Sequence, residues 1–518
     1  MRPAPGRGRW IVAGCAVAGL LALAWPFDAG GGSTPASPSG LARVTGSVGP
    51  TGAVGPVPRA CDGVAVSPAE DLHSVIAAHP AGTTYCLSHG TYRLEQPLEP
   101  KEGDAFIGAS GAVISGSKVL TGWRQTGGVW SATGFLPPAP ADHGECMEPV
   151  PTCTYAEDVF VDKQRLTRVD SAAAVTAGTV HADYRTNTIT IGDDPRLHLV
   201  EQAVAPSLIR ATVDHVTVAN LVLEQAANEA QVAAVESRRT TPYGMGSGWQ
   251  ILHNEVRLNH GVGLGLADGA VVRANFVHHQ GQLGFGAWGN GSVVSGNEIS
   301  FNGMAGYSPD WEAGGSKSWQ TGRHTVTHNY VHDNHGPGLW TDGGNIHTEY
   351  SANRITANWG AGIQHEMSYD AVIRDNEISG NGLQHKGWAW EAGIQIQSSG
   401  GTTGLIEIAG NTLGDNANGI ALIESGGRAD ERPAPYGPHV VRNVWVHDNR
   451  VTLADGQVSG AVQDIGDTAV YTRNNNRFEN NTYVVPSLAQ PYFAWNDNDL
   501  TWSQWRAAGN DYGGRAVS

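Results

Sequence analysis

Seven short segments of the chain open with glycine and an apolar or aromatic residue: Gly263-Leu264, Gly284-Phe285, Gly306-Tyr307, Gly338-Leu339, Gly362-Ile363, Gly393-Ile394 and Gly419-Ile420. Stacked on that glycine, the fourth residue along reads Ala267, Trp288, Asp310, Asp342, Glu366, Gln397, Ile423. In a strand the side chains alternate, so if the residue after glycine points inward this column points out. Asp310, Asp342 and Glu366 then share one outward position on successive coils, about 4.8 Å apart. Like charges at that spacing repel, and solubility alone does not call for them. Chemistry does: neighbouring carboxyls can hold one group ionised and the other protonated. A pair about 5–5.5 Å apart suits the nucleophile and acid/base of a retaining glycosidase, and one about 6.5–9.5 Å apart an inverting glycosidase. Asp342 and Glu366 on adjacent coils fit the first, and Asp310 and Glu366 come nearer the second.

The column two residues after glycine reads Gly265, Gly286, Ser308, Trp340, Gln364, Gln395, Ala421. Polar and aromatic residues therefore border the carboxylates, and small or apolar ones mark the ends. Glu312, Lys317, Asn345, Tyr369, Glu391 and Gln395 lie close enough in sequence to bind hydroxyl groups. Trp340, Trp388 and Trp390, with Trp311, Trp319 and Trp359, could stack on flat apolar faces or fill loop cores.

The elements that must hold such a column follow from a repeat of Asn, any residue, then an apolar residue. It occurs at Asn220, Asn254, Asn275, Asn297, Asn329, Asn353, Asn376, Asn411, Asn449 and Asn481, and its shortest spacings are 21–24 residues. Short β runs at that period, with no helical pattern, predict an all-β right-handed parallel β-helix. Val256, Val277, Ile299, Val331, Ile355 and Ile378 should stack as one interior ladder, with the asparagines as a second ladder at a bend. A leucine-rich repeat is excluded because its LxxLxL spacing is missing.

Residues 206–518 are assigned to this helix and 59–115 to its start. Ser67, Pro68 and Glu70 read as N-cap, N1 and N3 of a short cap helix through Ala78. Between these parts, residues 116–205 break the period with short alternating runs such as Asp158-Val159-Phe160-Val161-Asp162 and Thr188-Ile189-Thr190-Ile191, which predicts a small inserted β-sandwich. Residues 30–58, rich in Gly, Ser, Pro and Ala, read as a flexible linker. Residues 1–29 read as a signal peptide or an N-terminal anchor, with Arg2, Arg7 and Arg9 before the apolar run from Ile11 to Phe27. The protein is expected to be secreted. Apart from Cys15 in the apolar run there are four cysteines, an even set that reads as disulfides. Chain order favours Cys61–Cys86 and Cys146–Cys153 among three possible connectivities.

A net charge of −17, from 32 Lys+Arg against 49 Asp+Glu, argues against nucleic acid as a partner, and against membrane contact beyond an anchor. No CxxC or HExxH motif is present, and His332-Asp333 and His447-Asp448 read as turn residues, so no metal site is assigned.

The run Gly338-Leu339-Trp340-Thr341-Asp342, followed one coil later by Gly362-Ile363-Gln364-His365-Glu366-Met367-Ser368, resembles the core of the family-120 glycoside hydrolases and their β-helix relatives. Trp311-Glu312-Ala313-Gly314-Gly315-Ser316-Lys317 is similar to their Glu-Ala-Gly…Lys segment. The inserted stretch, with Gly122-Trp123 and Phe160 to Leu166, is similar to their sandwich. The resemblance spans most of residues 60–500 and is specific around 305–370. It implies a retaining β-xylosidase-like enzyme with a carbohydrate substrate and no cofactor, Asp342 as nucleophile and Glu366 as acid/base. It carries no role for Asp310, and the cysteines and the loop at 425–438 depart from it.

Two alternatives stay open on the residues alone. One is a lyase acting on a uronate polymer, with Lys317 as base and Ca²⁺ held by Asp310, Asp342 and Glu366. Against it, residues 301–425 carry five Lys+Arg and thirteen Asp+Glu, the wrong balance for an acidic polymer. The other is a carbohydrate-binding solenoid without catalysis.

Overall fold

The computed structural model describes residues 47–150, 152–240, 243–384, 387–426 and 436–518. The segment read as a signal peptide or anchor, the first part of the linker and most of the 425–438 loop lie outside them.

Each coil contributes one strand to each of three long parallel sheets of 13, 12 and 13 strands, which wind a right-handed β-helix. The interior ladder stacks as the period requires: Val256 pairs with Val277, then Ile299, Val331, Ile355 and Ile378 follow in register. Burying one branched aliphatic side chain per coil removes apolar area from water at about 25 cal/mol per Å².

At the bend before this ladder, from Asn275 to Asn481, each asparagine Oδ1 accepts from the backbone N–H of the asparagine one coil earlier. Asn297 N to Asn329 Oδ1 is 2.9 Å and Asn329 N to Asn353 Oδ1 is 3.0 Å. The Nδ2 groups cap carbonyls of the previous coil, as Asn353 does for Val326 at 2.9 Å. A parallel second ladder runs five residues later through Asn259, Gln280, Asn302, Asn334, Asn358, Asn381 and Asn416. It falls outside the Asn-x-apolar repeat, because Gln280 takes one rung and glycine stands two residues after Asn259, Asn334 and Asn358. The first ladder ends on Asp511, which also accepts from Tyr483 Oη and Trp505 Nε1, both at 2.9 Å. Trp505 sits fully buried on the helix Trp502–Ala507 and closes the C-terminal end of the core.

The N-terminal cap helix spans Leu72–Ala78, and its N-cap is Asp71 rather than Ser67, because the Asp71 carboxylate accepts from both His73 N and Ser74 N. Ser67 and Glu70 do bond each other, but they close a separate turn before the helix, with Pro68 lying over Gly90. Residues 47–58 also differ from the flexible linker that composition suggested. Gly49 N donates to Ala352 O (2.9 Å), Gly55 N to Ala274 O (2.8 Å) and Val57 N to Asn220 Oδ1 (3.3 Å). Composition describes a segment in isolation and does not register that the wall offers it carbonyls.

Strands from Ser117–Val119 to Val200–Ala203 form two smaller sheets of four and five strands, which share a core of Leu120, Trp130, Val159, Leu166, Val180, Ile189, Ile191 and Val200. They interrupt the helix between Ala112–Ser115 and Ile209–Arg210. A buried ion network joins the two parts: Glu201 meets Arg93 and Lys163, and Glu224 meets Lys163 and Arg257, at 2.7–2.8 Å. Cys61–Cys86 and Cys146–Cys153 are bonded. Two disulfides suit a chain that resides outside the reducing cytosol.

Candidate active site

The 12-stranded sheet carries the carboxylate column. Asp342 and Glu366 are Cα partners on adjacent coils, with Gln397 and Ile423 continuing the column. The alternate residues Thr341 and His365 point into the core, where Thr341 Oγ1 lies 2.7 Å from His365 Nδ1 and His365 Nε2 lies 2.9 Å from Tyr369 O. Burial takes the imidazole of His365 down to about 4, so it stays neutral and donates from Nε2. This inner polar pairing fixes the strands from behind, and so fixes what they present in front.

The outward face is nearly as buried as the inner one: Asp342 is 4% exposed and Glu366 9%. Asp342 Oδ2 meets Lys317 Nζ at 3.0 Å. Glu366 meets neutral donors, with Trp340 Nε1 and Gln364 Nε2 each 3.0 Å from Oε2 and Gln397 Nε2 3.1 Å from Oε1. The ammonium of Lys317 lies 4.1 Å over the Trp340 ring, donates to Trp311 O at 3.0 Å and is 3.9 Å from Glu312. Burial works to lower its pKa, but Asp342, Glu312 and Glu366 outweigh that and hold it above the ordinary lysine value. Lys317 is therefore held as a cation beside Asp342.

Asp310 does not join the column. The strand that precedes Leu339–Asp342 is Gly314–Ser318, in which Ser316, and not Tyr307, pairs with Phe285. Lys317 takes the second outward position of that coil, and Trp319 takes the fourth by extension of the register. The inward residue of this coil is a serine, Ser316, so by sequence alone Gly306-Tyr307 is the better match to the other coils. Asp310 is exposed on the short helix Pro309–Glu312, in the loop that leads into the strand. Tyr307 and Trp311 of that loop pack with Cys146, Cys153, Ala230 and Ala313, so the disulfide loop of the inserted segment braces the rim. His143 of the insert lies 2.9 Å from Gln231, which in turn donates to Glu312.

Glu391 stands on the same rim. Burial, and then the charge of Asp310, push its carboxyl up to about 7. Its backbone N–H donates to Gln395 Oε1 at 2.9 Å, and Gln395 Nε2 lies 3.2 Å from Gln397 Oε1, which links rim to column.

The other expected binding residues lie apart from this set. Asn345 is fully buried and bonded to Thr321, Ser318 O and Ser368 at a bend. Tyr369 is buried, packs on Tyr436 and His439, and donates to Gly437 O. Trp388 is exposed and donates to Asp499, and Trp390 packs against Ala389, Ala392 and Ile423. Gln364 and Gln397 were visible in the columns but not singled out, because an amide reads as neutral until its partner is known. Among the described residues no group of three or more His, Cys, Asp or Glu is placed to hold a metal ion.

A right handed beta helix region is recognised over residues 243–352 and 320–431. Sequence comparison with curated proteins returns no match. Among solved structures, XylC in complex with xylose superposes with a TM-score of 0.57 at 15% identity, covering 80% of each chain. The A-module of the Azotobacter vinelandii mannuronan C-5 epimerase AlgE6 gives 0.49 at 13% identity, over 86% of this chain and 93% of its own. A glycoside hydrolase gives 0.37 at 11%, over 76% and 91%. At these identities the likeness is one of fold, and only the first is near enough to bear on it.

Proposed function

We propose that the protein is a secreted glycoside hydrolase that cleaves neutral, xyloside-like bonds by double displacement. The observation that carries this reading is the pair Asp342 and Glu366: register partners on adjacent coils, both turned outward and both nearly buried, one facing a fixed ammonium and the other neutral donors. The adjacent-coil step of about 4.8 Å is close to the 5–5.5 Å of retaining enzymes.

In the first step an Asp342 oxygen attacks the anomeric carbon, the glycosidic C–O bond breaks, and Glu366 gives its proton to the departing oxygen. In the second, Glu366 takes a proton from water, the hydroxide oxygen bonds to the anomeric carbon, and Asp342 leaves as carboxylate. Lys317 keeps Asp342 paired with a positive charge between turnovers. Glu312 and Gln395 would contact hydroxyls, and Trp340 would offer a ring edge.

Two observations weigh against a calcium-dependent lyase. Lys317 is held as a cation by three carboxylates, and a base must be neutral. Asp310 stands on the rim, away from the other two carboxylates of the presumed calcium set.

The test is release of p-nitrophenol from a panel of neutral glycosides by wild type, Asp342→Asn and Glu366→Gln, with and without chelator. Wild type is expected to act regardless of chelator, each variant to lose at least about 10²-fold, and NMR to show retention of configuration. Calcium-dependent formation of unsaturated products from uronate polymers would replace this reading with the lyase. Silence on both, with sugar binding intact, would leave a binding solenoid.

A further inference from the structure

The outward columns continue on the N-terminal side of the carboxylates with a different chemistry. By extension of the register the fourth-position column runs Arg238, Ala267, Trp288, Trp319, Asp342. The ladder continues that far, since Trp288 N donates to Leu266 O at 2.9 Å and Trp319 N to Ala287 O at 3.0 Å. Both tryptophans are half-buried and so keep surface for a ligand.

Trp288 is held in place from two directions. Arg238 reaches across one coil to set its guanidinium 3.8 Å over the ring, and it is itself tied to Glu236 at 2.9 Å and Gln231 O at 3.0 Å. The ring reaches back edge-first over Gly286, where an added Cβ would lie 2.8 Å from Cη2 and 3.2 Å from Cζ3. Glycine at 286 is thus needed for the placement of the indole. Arg238 comes from the N-terminal side, so the face it leaves looks toward the coils of Lys317, Trp319 and Asp342. Arg210 also pairs with Glu236, at 3.1 Å, so two guanidiniums share one carboxylate here.

We propose that Trp288, backed by Arg238 and flanked by Trp319, forms the wall of a second sugar subsite that ends the cleft on its N-terminal side. The substrate is then a short neutral oligosaccharide rather than a lone glycoside with a small leaving group. This rests on the glycosidase reading of Asp342 and Glu366. Trp288 and Asp342 are two coil steps apart, about 9.6 Å, with Trp319 on the coil between them, a span that matches a second sugar ring beside the one on the carboxylates. An indole face takes the C–H side of a pyranose.

The test compares kcat/KM for p-nitrophenyl β-xyloside with that for xylobiose and xylotriose in wild type, Trp288→Ala and Gly286→Ala. The second variant keeps the indole but displaces it, and thermal melting shows that both remain folded. The expected result is a loss of about tenfold on the oligosaccharides in both variants with the aryl glycoside unchanged. Equal loss on all substrates, or none on any, overturns the subsite while the glycosidase reading stands. If wild type cleaves nothing, the glycosidase reading fails, and titration of tryptophan fluorescence with a panel of neutral trisaccharides still decides the subsite. Binding that is lost in both variants supports the subsite, and binding that is absent, or equal in all three proteins, overturns it.

Discussion

Lys317 and Glu391 are the two side chains whose ionisation departs most informatively from their ordinary values. Lys317 is a buried cation shared by Asp342 and Glu312, so Lys317→Met leaves carboxylates buried without their partner. The expected cost is about 3–5 kcal/mol, together with loss of turnover, measured as the urea midpoint and the rate on an aryl glycoside. An unchanged midpoint would mean that the ion pair does not form. Glu391 has the opposite character. Its folded pKa of about 7 lies above the ordinary 4.5, so protonation favours the fold. That contribution is fully present below pH 4.5 and is lost as pH rises through 7. Glu391→Gln mimics the protonated form. Relative to wild type it should gain stability between pH 4.5 and 8, by ~2 kcal/mol once the water reaching this half-buried group is discounted. Equal midpoints at both pH values would contradict the raised carboxyl.

The asparagine ladders show how one element holds another in register. Asn353 accepts from Asn329 N and Nδ2, and its own Nδ2 donates to Val326 O. Asn353→Ala therefore strands several buried backbone and amide groups at once. Each costs about 1–3 kcal/mol, and the sum should be about 3–5 kcal/mol, seen as a lowered denaturation midpoint. A loss below about 1 kcal/mol would show that water replaces the amide. The first ladder could be read in the sequence because its spacing repeats and each asparagine stands two residues before an apolar one. The coil that holds Lys317 could not, because Ser316 takes an interior place normally filled by an apolar residue. That one polar substitution moved Asp310 into a column it does not occupy and hid Lys317 from its true position beside Trp340.

Across the whole molecule the interior is not uniformly apolar. His324 and His365 are fully buried and neutral, each taken down to about 4 by burial. Their folded pKa values lie below the ordinary 6.5, so the stability they carry is present above pH 6.5 and is lost as pH falls toward 4. The loss approaches about 3 kcal/mol for each histidine. This runs against the smaller acid-side gain at Glu391, so the urea midpoint should fall between pH 7 and pH 4.5. A flat profile would mean that the two imidazoles take up protons without leaving the core.

Period, strand alternation and the Asp342/Glu366 column were legible in the amino-acid sequence because a β-helix is built from near-neighbour coils. In such a fold, position along the chain maps almost directly onto position along the axis. The fold class was legible for the same reason, and the disulfide pairing favoured by chain order is the one formed. The tertiary structure decided what lies above the sheet. The loop at 301–313, braced by Cys146 and Cys153, brings Glu312 and Trp311 O to Lys317. It also sets Asp310 against Glu391. Asn345 and Tyr369 are turned into bends rather than toward Asp342 and Glu366. Loops have no period, and their contacts are chosen by the wall they meet, so side-chain burial and ionisation at this site follow only once the coils and the insert are packed together.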